Sequence, residues 1–311
     1  MNRRDDLSAY VLISPFLLLF TVFLAYPVCV SVFISMKKVT VATDWFNVFN
    51  AMTPCGFENY RRLLTEDVEF WFSLLMTGYY AILTIPGGIV VSLVLAVLLS
   101  NRIRGVAVYR TAFFLPNVLD PLVVGMVWVI ILAPQYGVLE VILRNVLGLP
   151  AGTVIVEQGF LGNPWTCLPV IAFVMVLKQA GFGMILFLTA IQNIPGDLYE
   201  AADLDGAGRW DSFCHITFPF VKPVILFLII TGMMNAMNAF TEIYALTNGQ
   251  GGPTMTFLGT TVKAGNLAGF LLFKTFEQGQ YGYAASMAFT LMGVALVVSW
   301  INMKVLGDED S

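Results

Sequence analysis

The sequence predicts an all-α integral membrane protein with six transmembrane helices. Two observations carry that prediction. The 311 residues are 58% hydrophobic and only 12% charged, with a mean hydropathy of +0.80. Soluble domains run near half apolar and a quarter charged, so this chain has too little charge to cover a globule. Six segments also supply the roughly 20 apolar residues that a helix needs to cross a bilayer.

In order, the predicted spans are residues 10–35, 71–100, 111–132, 165–194, 224–246 and 281–303, in a single membrane domain over 1–311. The first follows Arg3 and Arg4 and is longer than a signal-peptide core, so it reads as a retained helix. FENYRRLL at Phe57–Leu64 reads as an amphipathic interfacial helix. The second span carries Pro86-Gly87-Gly88, which predicts a kink. Pro116 and Pro121 bend the third, whose only charge is Asp120. A connection with a short helix at Leu139–Leu147 leads to the fourth, whose only charge is Lys178. Residues 248–280 are glycine-rich and polar, with an apolar patch at Ala268–Phe273 too short to cross.

The long polar interruption that looks folded is YEAADLDGAGRWDSFCHITFPFVKP, Tyr199 to Pro223, within a loop at 195–223. Pro195 and Asp197 suit a first helical turn. Leu198, Ala201 and Ala202 then share a helix face, and Gly206 is placed to stop that helix. Trp210, Phe213 and Ile216 mark a second helix, which Pro219 should break. The pattern is helix, glycine hinge, helix, with Glu200, Asp203 and Arg209 offering charges to a partner. An ordinary solvated loop between membrane helices would carry similar charges.

Several functions are excluded or weakened. No G-x-x-x-x-G-K-[ST] occurs, so the chain cannot cradle a nucleotide with a P-loop of its own. No basic stripe suits nucleic acid. His215 is the only histidine, so neither an H-E-x-x-H metal site nor a nucleophile–His–acid set is in view. Cys29, Cys55, Cys167 and Cys214 form no C-x-x-C pair, although Cys55 and Cys167 could both lie outside and leave a disulfide open.

Two faces are candidates for a solute pathway. On the fifth span Thr231, Asn235, Asn238 and Glu242 recur at spacings of four, three and four, which puts them on one helix face. Such a stripe either glues helices together by hydrogen bonds or lines a path for a hydroxyl-rich solute. On the fourth span Lys178 and Gln179 precede Phe182, whose ring could stack on the apolar face of a sugar or simply pack. Asp120 and Lys178 near mid-span keep an ion-gradient-driven transporter open as an alternative, and a scaffold or membrane enzyme as a third class.

Glu200-Ala201-Ala202, then Asp205-Gly206-Ala207, Ile216, Pro219 and Pro223 resemble the signature of binding-protein-dependent ABC importer permeases, with Phe218 where Leu is usual. FENYRRLL, FFLPNVLDPLVVGMVW (Phe113–Trp128), IQNIPGDLYEAADLDGA and LTNGQGGP, with the later GYAASMA, are similar to sugar permeases of the maltose-transporter type. GNLAGFLLFK stands where that type has a shorter connection. The resemblance implies the type I permease fold, with the 195–223 loop as a coupling helix docking on a cytoplasmic ATPase. Glu200, Ala201, Ala202, Asp205, Gly206, Ala207 and Arg209 would carry that coupling. It also implies a second similar permease, an ATPase dimer that binds ATP and Mg, and an extracytoplasmic solute-binding protein. By position it points to Gln179, Phe182 and the neighbourhood of Asn235 and Asn238 as solute contacts, with a carbohydrate, a polyol or a glycerol phosphate as cargo. Basic residues are denser in the short segments holding Arg102, Arg104, Arg110, Arg209, Lys222 and Lys304, which predicts both termini and Glu200 in the cytoplasm.

Overall fold

The computed structural model describes residues 3–40, 52–100, 104–134, 136–139, 141–142 and 154–307. It divides into two compact units, residues 1–67 with 272–294, and residues 68–271 with 295–311.

The first unit opens with the N-terminal span. Helix α1 (Arg3–Phe20) runs through a π-helical turn at Thr21–Ala25 into α2 (Tyr26–Ser35). Pro27 follows the π turn. A proline ring strikes the carbonyl four residues back, and a wider turn ahead of it moves that carbonyl aside. Strand β1 (Lys37–Lys38) pairs antiparallel with β2 (Thr53–Pro54). The FENYRRLL segment forms α3 (Glu58–Thr65), whose Leu63 is fully buried while Phe57 is exposed. Its Asn59 amide donates to the Ser35 and Lys37 carbonyls at 2.8 and 3.2 Å, satisfying groups that the end of α2 leaves open. Tyr60 and Ser35 share a hydroxyl hydrogen bond of 2.8 Å. Arg62 lies over the Tyr283 ring, and the Tyr283 hydroxyl donates to Asp67.

The second unit is built around one helix. Helix α4 (Val68–Ser100) is a single rod, with Pro86 inside it and no break recorded there. Helices α5 (Val106–Val118) and α6 (Pro121–Ile131) make a pair bent by 100°. Helix α7 (Val154–Gly162) turns at Gly159, and α8 (Pro164–Gln192) follows as the core helix. Ile171, Val174, Met184 and Phe187 of α8 are fully buried. Glycine makes the packing of α8 close: a Cβ on Gly181 would lie 2.1 Å from the Phe113 carbonyl oxygen of α5, and one on Gly183 would meet Ser92 of α4. Next come α9 (Gly196–Leu204), α10 (Arg209–Ser212), α11 (Phe218–Met237) and α12 (Thr241–Leu246). Strands β3 (Thr254–Phe257) and β4 (Thr260–Lys263) form a hairpin. Helix α13 (Ala268–Glu277) starts in this unit and continues into the first, and the sixth span, α14 (Tyr281–Gly307), belongs to the first unit up to Val294 and to the second beyond it.

Among the described residues, five single helices are long and apolar enough to cross a membrane, and the bent α5–α6 pair makes a sixth crossing if counted as one. The third span is therefore broken, not merely bent. Pro121 has no N–H to continue α5, and Asp120 starts a new helix by accepting the Leu122 N–H at 2.7 Å.

The fifth crossing is also displaced from its expected place. Pro219 does not break the second short helix. A π turn at Phe213–Thr217 absorbs the proline, and Arg209–Met237 is one 29-residue helical rod. That rod stops at Met237, where the Asn238 amide donates back to the Met234 carbonyl at 2.9 Å. Glu242 belongs to α12 instead, so the predicted stripe of Thr231, Asn235, Asn238 and Glu242 is not one helix face. Pro195 is the residue before α9, with Gly196 as its first helical residue. All four cysteines are free thiols, so Cys55 and Cys167 are not bridged. The expected helix at Leu139–Leu147 lies mostly outside the described residues, as does Arg102.

Candidate functional site

Helix α9 hangs between α8 and the α10–α11 rod. Its C-terminus closes in a Schellman motif: the Ala207 N–H reaches the Ala202 carbonyl at 2.9 Å and the Gly206 N–H reaches Asp203 at 3.2 Å. Gly206 adopts φ +79°, a left-handed conformation that glycine takes without steric cost. The next helix is set by Asp211, which accepts the Gly208 N–H at 3.0 Å. Trp210 stacks on Phe213.

The surface of this segment is open. Glu200, Ala201, Asp205, Gly206 and Arg209 are exposed, and Ala202 and Ala207 are half-buried. Leu204 is 89% exposed and Trp210 72%. Small residues flanked by charges and two large apolar side chains make a surface another protein can approach closely.

Across the second unit, four of the residues singled out from sequence meet in one cleft of about 320 Å³. Gln179 and Phe182 enter it from α8, and Thr231 and Asn235 from α11. The Gln179 and Asn235 amides are exposed and have no hydrogen-bond partner among the described residues. Helix α4 supplies Thr84, Gly88 and Ser92, which sequence reasoning passed over. Their signal was present: polar or small residues at intervals of four in an otherwise apolar helix. The Ser92 hydroxyl donates to the Ala180 carbonyl at 3.0 Å and Thr84 to Tyr80 at 2.8 Å, so their oxygens face the cleft chiefly as acceptors. Amides that donate and accept, hydroxyl oxygens and the two exposed rings of Phe182 and Phe227 suit a neutral, hydroxyl-rich molecule. No Lys or Arg lines the cleft among the described residues.

Lys178, Asn238 and Glu242 do not line that cleft. Lys178 is 9% exposed, and its Nζ lies 3.5 Å from the Asn117 carbonyl. That carbonyl is the one Pro121 cannot satisfy, four residues on. Lys178 also interacts electrostatically with Glu242 and Asp120. The Tyr80 hydroxyl in turn donates to Glu242 at 3.3 Å. One ammonium thus addresses the α5–α6 break and feels the charge of two carboxylates. Gly125 of α6 holds α12 close, because a Cβ there would lie 2.4 Å from the Ala245 Cβ.

Comparison with known proteins follows from these features. The family of binding-protein-dependent transport system inner membrane components matches residues 88–305. The probable ABC transporter permease protein YesP of Bacillus subtilis (strain 168) is 31% identical over 305 residues, covering 97% of this chain and 91% of that protein. The lactose transport system permease protein LacF of Rhizobium radiobacter is 30% identical, covering 97% and 95%. Among solved structures, a bacterial ABC transporter involved in the import of the acidic polysaccharide alginate superimposes with a TM-score of 0.76 at 22% identity, covering 98% of this chain and 96% of that chain. The fold is that of an ABC importer permease.

Proposed function

We propose that this chain, which belongs to the binding-protein-dependent transport system inner membrane components and is a multi-pass ABC transporter permease, carries a carbohydrate across the cytoplasmic membrane. The observation that carries the reading is the convergence of Gln179, Phe182, Thr231 and Asn235 on one cleft, from the two helices that the exposed α9 segment joins. A relative named for lactose supports a saccharide cargo.

In this reading the cleft is half of a pathway that a second, homologous permease completes. An extracytoplasmic binding protein delivers the solute at the 37–70, 133–164 and 247–280 segments. An ATPase dimer, which binds ATP and Mg, grips Glu200, Ala201, Ala202, Asp205, Gly206, Ala207 and Arg209. Both termini and Glu200 face the cytoplasm. ATP binding closes the dimer, and α9 carries the motion to α8 and α11, whose cleft then changes its access.

A glycerol phosphate loses support because the one candidate cation, Lys178, lies outside the cleft. The gradient-driven alternative loses support because Lys178 and Asp120 both serve the α5–α6 break. The test is a thermal-shift screen of the cognate binding protein against saccharides and polyols. Uptake of the hits by the reconstituted transporter follows, with wild type and Gly206→Val. Uptake abolished by ATP depletion and lowered by Gly206→Val is expected. Uptake that survives ATP depletion and collapses with an ionophore would sink the reading, as would labelling that puts Glu200 outside.

A further inference from the structure

Thr217 departs from the pattern that most helical threonines of this chain follow. Thr77, Thr84, Thr111, Thr189, Thr231 and Thr290 each donate to the carbonyl four residues back in their own helix. Thr217 shares its hydrogen bond with the Tyr199 hydroxyl of α9 instead, at 2.9 Å. The π turn explains the change. The carbonyl four residues before Thr217 is that of Phe213, and in the π pattern Phe213 accepts the Phe218 N–H. Thr217 is 7% exposed, so its hydroxyl is held away from solvent with that one partner, while Tyr199 is half-buried.

The position of this bond matters. It sits at the widened turn where the short α10 becomes the long α11, and α11 carries Thr231 and Asn235 into the cleft. The chain itself joins α9 to that rod at Asp205–Gly208, where Gly206 is left-handed and a Cβ would meet nothing within 4 Å. A glycine hinge transmits little force, whereas a hydrogen bond fixes distance and direction. Single-turn π insertions also recur at functional sites.

We infer that the Tyr199–Thr217 hydrogen bond is the positioning contact that passes displacement of α9 to the fifth span, with the π turn as the point of application. Both are positioning residues. This rests on α9 docking to an ATPase, so the experiment separates the two ideas.

In the full transporter, spin labels at the exposed Val90 (α4) and Met234 (α11) report the movement of α11 on trapping with ATP and vanadate. A Glu200→Cys crosslink to the ATPase subunit reports docking. Thr217→Val keeps the shape and removes the hydroxyl; Tyr199→Phe makes the same deletion from the other side. With the crosslink intact, both variants should show a reduced Val90–Met234 distance change. Coupled uptake should fall about tenfold, the size of one lost hydrogen bond, while ATP hydrolysis persists. Thr217→Ser should restore the wild-type response. An intact crosslink with undiminished movement in Thr217→Val and Tyr199→Phe overturns the link alone. No crosslink in the otherwise wild-type complex overturns the docking reading and the link with it. Equal loss of hydrolysis and uptake, unrelieved by Thr217→Ser, would also overturn it, since that is a folding defect.

Discussion

The fourth and fifth spans are matched along the chain and opposite in space. Each is a 29-residue helix with a most apolar window of mean hydropathy 2.0. Yet 61% of that window is buried in Pro164–Gln192, against 11% in Arg209–Met237. Hydropathy therefore says that both enter the membrane and nothing about which one is the core. The difference lies in small residues. Helix α8 carries Ala172, Ala180, Gly181 and Gly183 at buried positions, which let α4 and α5 approach its backbone. Helix α11 instead leaves Phe220 exposed, and a Cβ on its Gly232 would meet the side chain of Ile85 rather than backbone. A buried central post and a largely exposed rod, the lever of the proposed coupling, are thus made from sequences of equal apolarity.

Five substitutions break or sharpen that contrast. The largest effect is expected for Gly181→Ala on the post. Its Cβ would collide with the Phe113 carbonyl and the Phe114 Cα, which are backbone and cannot step aside. A loss of about 3 kcal/mol is expected. Gly232→Ala on the lever meets a side chain that can rotate and should cost about 1 kcal/mol. The yield of monodisperse, detergent-extracted protein for the pair measures the contrast; equal yields would erase it.

Lys178→Met comes next. It leaves the Asn117 carbonyl without its donor, and half-buried Glu242 and exposed Asp120 without the cation they interact with. About 2 kcal/mol is expected, read as a lower thermal unfolding temperature in detergent. An unchanged temperature would remove its structural role at the α5–α6 break.

Gln179→Leu should leave that temperature unchanged and lower uptake by about tenfold, because its amide has no hydrogen-bond partner among the described residues and Gln179 lines the cleft. A stability loss without an uptake loss would move Gln179 from the pathway to the packing. The smallest effect is expected for Phe220→Leu on the exposed side of the lever, below about 0.5 kcal/mol in the same melt. A larger one would mean that this face is covered in the assembled transporter.

Much of this was legible in residues. The Glu200–Ala207 segment announced its helix and its glycine stop because both are local events: a short amphipathic turn, then a residue tolerant of positive φ. Gln179, Thr231 and Asn235, which line one cleft with Phe182, could be singled out because polar groups stand out in apolar helices. Two readings went astray at prolines. Pro219 looked like a breaker because interior prolines usually are, and a π turn made it tolerable. Pro121 looked like a bend, and with Asp120 as a cap it became a full break. The stripe through Glu242 failed because counting in fours assumes that the helix continues, and Asn238 ends it.

The sequence by itself determined that the chain lives in a membrane, which segments cross, and where an exposed hinged pair of helices interrupts them. Those follow from transfer free energy and local backbone preference, which act residue by residue. Tertiary structure alone decided that α8 is the post and α11 the lever. It brought Thr84 and Ser92 beside Gln179 and Asn235, and it set Lys178 at a broken helix rather than in the path. The physical reason is that close packing and the satisfaction of buried polar groups depend on which backbones can touch. That is a property of pairs of helices and cannot be read from either one.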